Sequence, residues 1–77
     1  MNMLYTFVLY EPPVAGRWDM ARRKQLKSYS EFDEDLAIRD AEQYYLLNRE
    51  GIFDVILVDN YGDVTFSARE LVEQVYK

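Results

Sequence analysis

The sequence predicts a small α+β domain with one four-stranded antiparallel or mixed sheet and two helices, in the order ββαββα. Two observations indicate the strands and helices. Residues 3–10 and 52–58 consist almost entirely of types that favour strands. Two later segments each begin with a serine followed by acidic residues, the pattern that starts a helix. The length of 77 residues leaves room for a single domain, residues 1–77.

The first two strands are predicted to form a hairpin with a long loop. Residues 3–10 form the first strand, and Pro12 and Pro13 stop its pairing. Residues 11–20 form the loop. Residues 22–28 are mostly long and polar, and Lys and Arg discourage unwanted pairing at a sheet edge, so we expect an edge strand there.

The first helix is predicted to run from a cap at Ser30 to about Arg49. Four acidic residues follow the serine, where the positive end of the helix dipole favours them. Gly51 is expected to adopt the left-handed conformation that commonly ends a helix. Ala37 and Ala41 share one face and let the helix lie close to the sheet.

The second half repeats the order of elements without repeating residues. Residues 52–58 form the clearest strand, followed by a tight turn in which Gly62 suits a positive φ. Residues 64–66 return as a short strand. Ser67 and Glu70 then form a capping box that opens the second helix.

Two-sided burial of the sheet is the main expectation about packing. Residues 3–10 and 52–58 are apolar at nearly every position, whereas a strand with one buried face alternates apolar and polar residues. The second helix either covers the far face or lies beside the first. In the second case Ile56 and Val58 would form an open patch for self-association, as a homodimer or a heteromeric contact. Burial of both faces within one chain is the alternative.

The composition argues against an enzyme. The chain contains no Cys and no His, which removes disulfides, the usual zinc frameworks and the commonest general base. It also lacks a Gly-rich phosphate loop and a serine in a nucleophile-elbow context. We therefore expect no catalytic residue, no metal site and no cofactor.

The charge is unevenly distributed along the chain. Residues 1–29 contain five basic and two acidic residues, and residues 30–77 contain four basic and twelve acidic ones, which gives local charges of +3 and −8 and the net −5. Such asymmetry orients partners. The residues predicted to contact a partner are Arg17, Trp18, Arg22, Arg23, Lys24, Lys27 and Tyr29. Trp18 is either a binding hot spot or a lid on the core.

Three functions remain open at this point. The first is a protein-binding module, an inhibitor or adaptor of a larger complex, that binds through the Trp18 loop and the basic edge. The second is a nucleic-acid-binding module that uses the basic segment 17–27. The third is an acidic nucleic-acid mimic that blocks a nucleic-acid-binding enzyme.

The chain is short, acidic, rich in tyrosine and free of cysteine, and in these properties it resembles small phage and mobile-element proteins. Many such proteins block a host enzyme or complex, so the resemblance implies an inhibitor. It rests on composition and size, and it assigns no residues. The apolar N-terminal stretch lacks a basic leader and a cleavage site and is too short to span a membrane, so we expect a cytoplasmic protein without membrane contact.

Overall fold

The computed structural model describes residues 2–75, apart from the side chain of Asp19. The elements are β1 (Met3–Leu9), β2 (Arg23–Ser30), α1 (Glu34–Asn48), β3 (Asp54–Val58), β4 (Val64–Ser67) and α2 (Ala68–Val75). The strands form one antiparallel sheet in the order β2-β1-β3-β4. The predicted α+β class and the order ββαββα are confirmed.

Both helices lie on the same face of the sheet. Ala41 and Tyr45 of α1 and Val72 of α2 pack in one cluster with Val8 and Val55 of the central strands. Ala41 is small enough to let α1 approach the sheet closely, as its sequence pattern predicts. Of the two arrangements left open for the second helix, the structure has the one in which it lies beside the first.

The segment between β1 and β2 covers the opposite face. Leu9, Ala21, Ile56 and Val58 form a buried cluster there, and Trp18, in a short 3₁₀ turn, packs against it. The exposed fractions of Ile56 and Val58 are 0% and 6%. The prediction of an open patch at these two residues is therefore wrong, because the loop buries them within one chain. Self-association through Ile56 and Val58 loses its structural basis.

The two ends of α1 differ from the predicted caps. The Ser30 hydroxyl accepts a hydrogen bond from the backbone N–H of Phe32 at 3.3 Å, so it caps a 3₁₀ turn that precedes α1. The prediction that Gly51 adopts the left-handed conformation is wrong. Among the described residues, the glycines with positive φ are Gly16 and Gly62. At the end of α1 the N–H of Gly51 instead donates to the carbonyl of Asn48 at 3.0 Å, which closes an ordinary turn.

The tight turn and the second cap agree with the sequence. Gly62 has a φ of 83°, as the hairpin between β3 and β4 requires. The Ser67 hydroxyl accepts from the N–H of Glu70 at 3.2 Å and caps α2. The confirmed features depend on residues close together in the chain.

Asp54 joins the start of β3 to the start of α2. Its side chain is 1% exposed and accepts from the Ser67 hydroxyl at 2.5 Å, the N–H of Arg69 at 3.0 Å and the N–H of Val55 at 2.6 Å. Burial raises the pKa of Asp54, while these bonds and the charge of Arg69 oppose the rise. A buried carboxylate with this set of donors holds α2 in place.

We predict that Asp54→Ala destabilises the fold by about 3 kcal/mol, because it leaves the Arg69 N–H and the Ser67 hydroxyl without their buried acceptor. Urea unfolding followed by circular dichroism measures the loss. The matched control is Asp63→Ala, which removes an exposed carboxylate from the neighbouring turn and should change the stability by less than about 0.5 kcal/mol. Equal effects of the two substitutions would contradict the role of Asp54.

Candidate functional site

A groove lies between α1 and the edge strand β2. Its volume is about 200 Å³. Thr6, Ala41 and Val55 line it and are almost fully buried, with exposed fractions of 3%, 2% and 0%. Leu26 and Tyr44 also line it and are each 38% exposed. The groove is therefore a largely apolar depression that opens to solvent beside the sheet edge.

A β-bulge in β2 shapes this groove. The pairing of β1 with β2 sets Thr6 opposite Lys27 and Phe7 opposite Gln25, so Leu26 is the additional residue. The Thr6 hydroxyl donates to the Lys27 carbonyl at 2.8 Å and accepts from the Lys27 N–H at 2.9 Å. These bonds satisfy backbone groups that the bulge withdraws from the ladder. As a result, both Leu26 and Lys27 line the groove.

Tyr29 and Asp40 connect the two sides of the groove. The hydroxyl of Tyr29, on β2, donates to a carboxylate oxygen of Asp40, on α1, at 2.7 Å. Burial, then the hydrogen bond to Asp40 and the charge of Asp40, raise the pKa of Tyr29 to about 12. The Lys27 ammonium lies 4.9 Å from the centroid of the Tyr29 ring. The hydrogen bond between Tyr29 and Asp40 fixes the distance between α1 and β2.

The edge strand itself is strongly basic. Arg22, Arg23, Lys24 and Lys27 fall within the segment 22–30, which contains no acidic residue. All four side chains are exposed, and β2 is bonded to β1 alone. Two of the cations cover aromatic rings of the preceding segment: the guanidinium carbons of Arg22 and Arg23 lie 5.3 Å and 4.4 Å from the ring centroids of Tyr10 and Phe7.

The structure divides the predicted partner-binding residues between the two faces of the sheet. Lys27 and Tyr29 lie at the groove on the helix face. Trp18 packs on the other face, where Arg23 covers Phe7 of the same cluster.

The remaining predicted contacts are distributed around these positions. Arg17 is exposed next to Trp18, and Arg22 and Lys24 are exposed along the edge. The predicted contacts therefore lie on both faces of the sheet, with the basic edge between them, and their role in partner binding stays a prediction. The basic edge and the groove beside it form the coherent site.

Sequence reasoning missed the groove residues Thr6, Leu26, Asp40 and Tyr44. One signal was present: Leu26 is the single aliphatic residue within an otherwise polar edge strand. Asp40 and Tyr44 are four residues apart, which places them on one face of a helix. The bulge that brings Leu26 toward them depends on Thr6, twenty-one positions from Lys27, and no local pattern signals that contact.

Residues 2–75 show neither a metal-binding cluster nor a membrane-spanning helix. The described acidic residues form no group of three or more that could hold a metal ion. Neither described helix is long and apolar enough to cross a membrane. Comparisons with models of protein families, with curated proteins and with solved structures find no match to this chain. The geometry of the groove and the edge is therefore the basis for a functional proposal.

We predict that Trp18→Ala lowers the free energy of unfolding by about 2 kcal/mol, because the indole covers the buried cluster of Leu9, Ile56 and Val58. Thermal and urea unfolding measure the change. The matched control is Val14→Ala in the same loop, a side chain 72% exposed, with an expected change below about 0.5 kcal/mol. Unchanged stability with impaired partner binding would instead make Trp18 a partner contact.

We predict that Tyr29→Phe lowers the free energy of unfolding by about 2 kcal/mol at neutral pH, since it removes a hydrogen bond to a charged acceptor. The pKa of Tyr29 rises from 10.0 to about 12 on folding, so this contribution is complete below pH 10 and is lost as the pH rises through 12. The difference in unfolding free energy between wild type and Tyr29→Phe should therefore narrow over that interval.

Urea unfolding at a series of pH values measures this difference. Tyr61→Phe removes a hydroxyl from a residue that is 82% exposed and should match wild type at neutral pH. A difference that widens above pH 10 would contradict the assigned role of the Tyr29 hydroxyl.

Proposed function

We propose that this chain is a non-enzymatic protein-binding module, a small cytoplasmic inhibitor or adaptor that holds a partner protein at the groove between α1 and β2. The observation that supports the proposal is the juxtaposition of this apolar groove with an exposed, basic sheet edge. Each feature alone is common on protein surfaces. Together they offer an apolar anchor point and backbone hydrogen-bonding groups to the same partner segment.

The edge supplies hydrogen-bonding capacity. Because β2 has a neighbour on one side only, alternate residues direct their N–H and C=O groups away from the sheet. β2 spans Arg23–Ser30, eight residues without a proline, so these groups form an extended row. A partner segment in extended conformation can pair with such a row.

The groove supplies an apolar anchor point. Its volume of about 200 Å³ is smaller than the roughly 300–1,000 Å³ of sites for drug-sized ligands. A depression of this size favours one apolar side chain of a partner protein over a free metabolite. Interfaces commonly gain much of their binding energy from one such side chain in a desolvated pocket.

The absence of catalysis remains a proposal, and the environments of two titratable groups support it. Perturbed pKa values are common at catalytic sites. Among the described residues, the two groups with perturbed pKa values are Asp54 and Tyr29. Both are buried, and their oxygen atoms bond to neighbouring elements of the fold. Both therefore have a structural explanation.

Nucleic-acid binding at β2 is a second candidate, favoured by the four exposed cations of the segment 22–30. It ranks lower because Arg22, Arg23 and Lys27 lie over the rings of Tyr10, Phe7 and Tyr29, which leaves these rings poorly placed to stack on bases. The hypothesis of an acidic nucleic-acid mimic stays a prediction.

The test is affinity capture from a nuclease-treated lysate of the source cells with three forms of the full chain. The groove variant combines Leu26→Ser with Tyr44→Ser. The control variant combines Val14→Ser with Leu47→Ser, which removes two apolar side chains that are 72% and 84% exposed and lie outside the groove. We expect wild type and the control variant to capture the same partner protein in similar amounts. The groove variant should capture about tenfold less of it, or still less.

Circular dichroism and thermal unfolding first establish that all three forms are folded. Equal retention of every captured protein by the groove variant and the control would refute a partner site in the groove. A parallel capture from an untreated lysate tests the second candidate, which is favoured by proteins that are captured there and lost after nuclease treatment.

A further inference from the structure

Building on the proposed function, we propose that the partner segment is an extended acidic peptide. It adds as a fifth strand beside β2 and places one apolar side chain in the groove, with acidic residues on either side of that side chain. Three features of the molecule support an acidic occupant: the charge of the edge, the position of the bulge and the surroundings of Asp40.

The chain's own carboxylates compensate the charge of the edge only in part. Arg22, Arg23, Lys24 and Lys27 are exposed, and none of them forms an ion pair with a described carboxylate. The nearest acidic residues in the sequence, Asp19 and Glu31, lie outside the segment 22–30. The Glu11 carboxylate accepts the backbone N–H of Arg22 at 3.1 Å, and Asp40 lines the groove together with Lys27. An acidic strand alongside β2 would meet cations along most of its length.

The same cations discriminate among possible strands. Lysine and arginine protect an exposed edge against pairing with neutral or basic strands, including the β2 strand of a second copy. Two β2 edges brought together would oppose three cations to three. A barrier of this kind selects an acidic partner, because specificity depends on repulsion of competitors as well as attraction of the partner.

The bulge sets where the apolar side chain lies. Side chains of an added strand alternate between the two faces of the sheet. Those on the helix face pass the groove, where Leu26 and Lys27 lie together because of the bulge. Those on the opposite face pass Arg23, which lies over Phe7. A peptide with one apolar side chain and acidic residues around it therefore suits both faces. The apolar side chain fills the groove, and the acidic side chains lie next to the cations.

Asp40 restricts what can enter the groove. Its carboxylate lines the groove and already accepts the Tyr29 hydroxyl. An acidic side chain inserted there would place two carboxylates close together in a largely apolar site, which is unfavourable. The acidic residues of the peptide therefore belong outside the groove, next to the lysines and arginines.

The experiment selects linear twelve-residue peptides from a random phage-displayed library on the immobilised full-length wild-type chain. Selected peptides are synthesised with a fluorescent label, and their affinities are measured by fluorescence polarisation. The charge variant is Lys24→Glu with Lys27→Glu. Its control is Arg39→Glu with Arg49→Glu, two exposed residues outside the groove that give the same change in net charge. The groove variant, Leu26→Ser with Tyr44→Ser, is the third protein.

We expect enriched peptides with acidic residues flanking one Leu, Ile or Phe. The charge variant and the groove variant should each weaken binding by about tenfold or more, and the control by less than about twofold. Amide NMR shifts on peptide addition should concentrate in residues 22–30. This combination supports both the inference and the proposed function.

Other outcomes separate the two. Enriched peptides that need the groove but are neutral or basic overturn the acidic strand and leave the protein-binding site intact. Peptides that bind equally to all variants, or no enrichment, overturn both. Binding of a labelled oligothymidine of twenty nucleotides to wild type, with loss of that binding in the charge variant, overturns the inference in favour of nucleic acid. A dimer in light scattering that the groove variant abolishes overturns it in favour of a second copy.

Discussion

Two-sided burial of the central strands is the constraint on which the rest of the structure depends. β1 and β3 are apolar on both faces, with Val8 and Val55 toward the helices and Leu9 and Ile56 toward the other side. Both helices lie on one face, so the segment between β1 and β2 has to cover the other. Trp18 is the largest side chain of that cover. Its position in the core cover is therefore a requirement of burial in so short a chain.

The position of α1 follows from the same constraint and creates the groove. α1 packs mainly on β3 and α2 and less on β1 and β2, because its small residues meet the centre of the sheet. β2 extends beyond the helix as an edge, and the space between them is closed only in part, by Leu26, Tyr44 and the bond from Tyr29 to Asp40. The surface available to the proposed partner is thus what remains when the helices cover the two most apolar strands.

The features that the sequence predicted are those determined by neighbouring residues. Strand composition, the turn at Gly62 and the cap at Ser67 each depend on a few consecutive positions, and together they define the order of elements. The failures involve contacts between distant parts of the chain. The cover over Ile56 comes from the loop around Trp18. The groove depends on the bond from Thr6 to Lys27, twenty-one positions apart. A basic edge strand was predictable from composition, whereas the apolar depression beside it was not.

Three hydrogen-bonded groups give this small fold its definite geometry. Apolar packing tolerates small shifts of register, but a hydrogen bond has a strict distance and direction. Thr6 fixes the bulge, Tyr29 with Asp40 fixes α1 against the edge, and Asp54 fixes the start of α2. Within the described chain no buried polar side-chain atom lacks a hydrogen-bond partner, so this precision is achieved without an unsatisfied group. The first two bonds border the groove. A site held in shape by the fold loses less conformational freedom on binding, and this preorganisation favours recognition even over a small contact area.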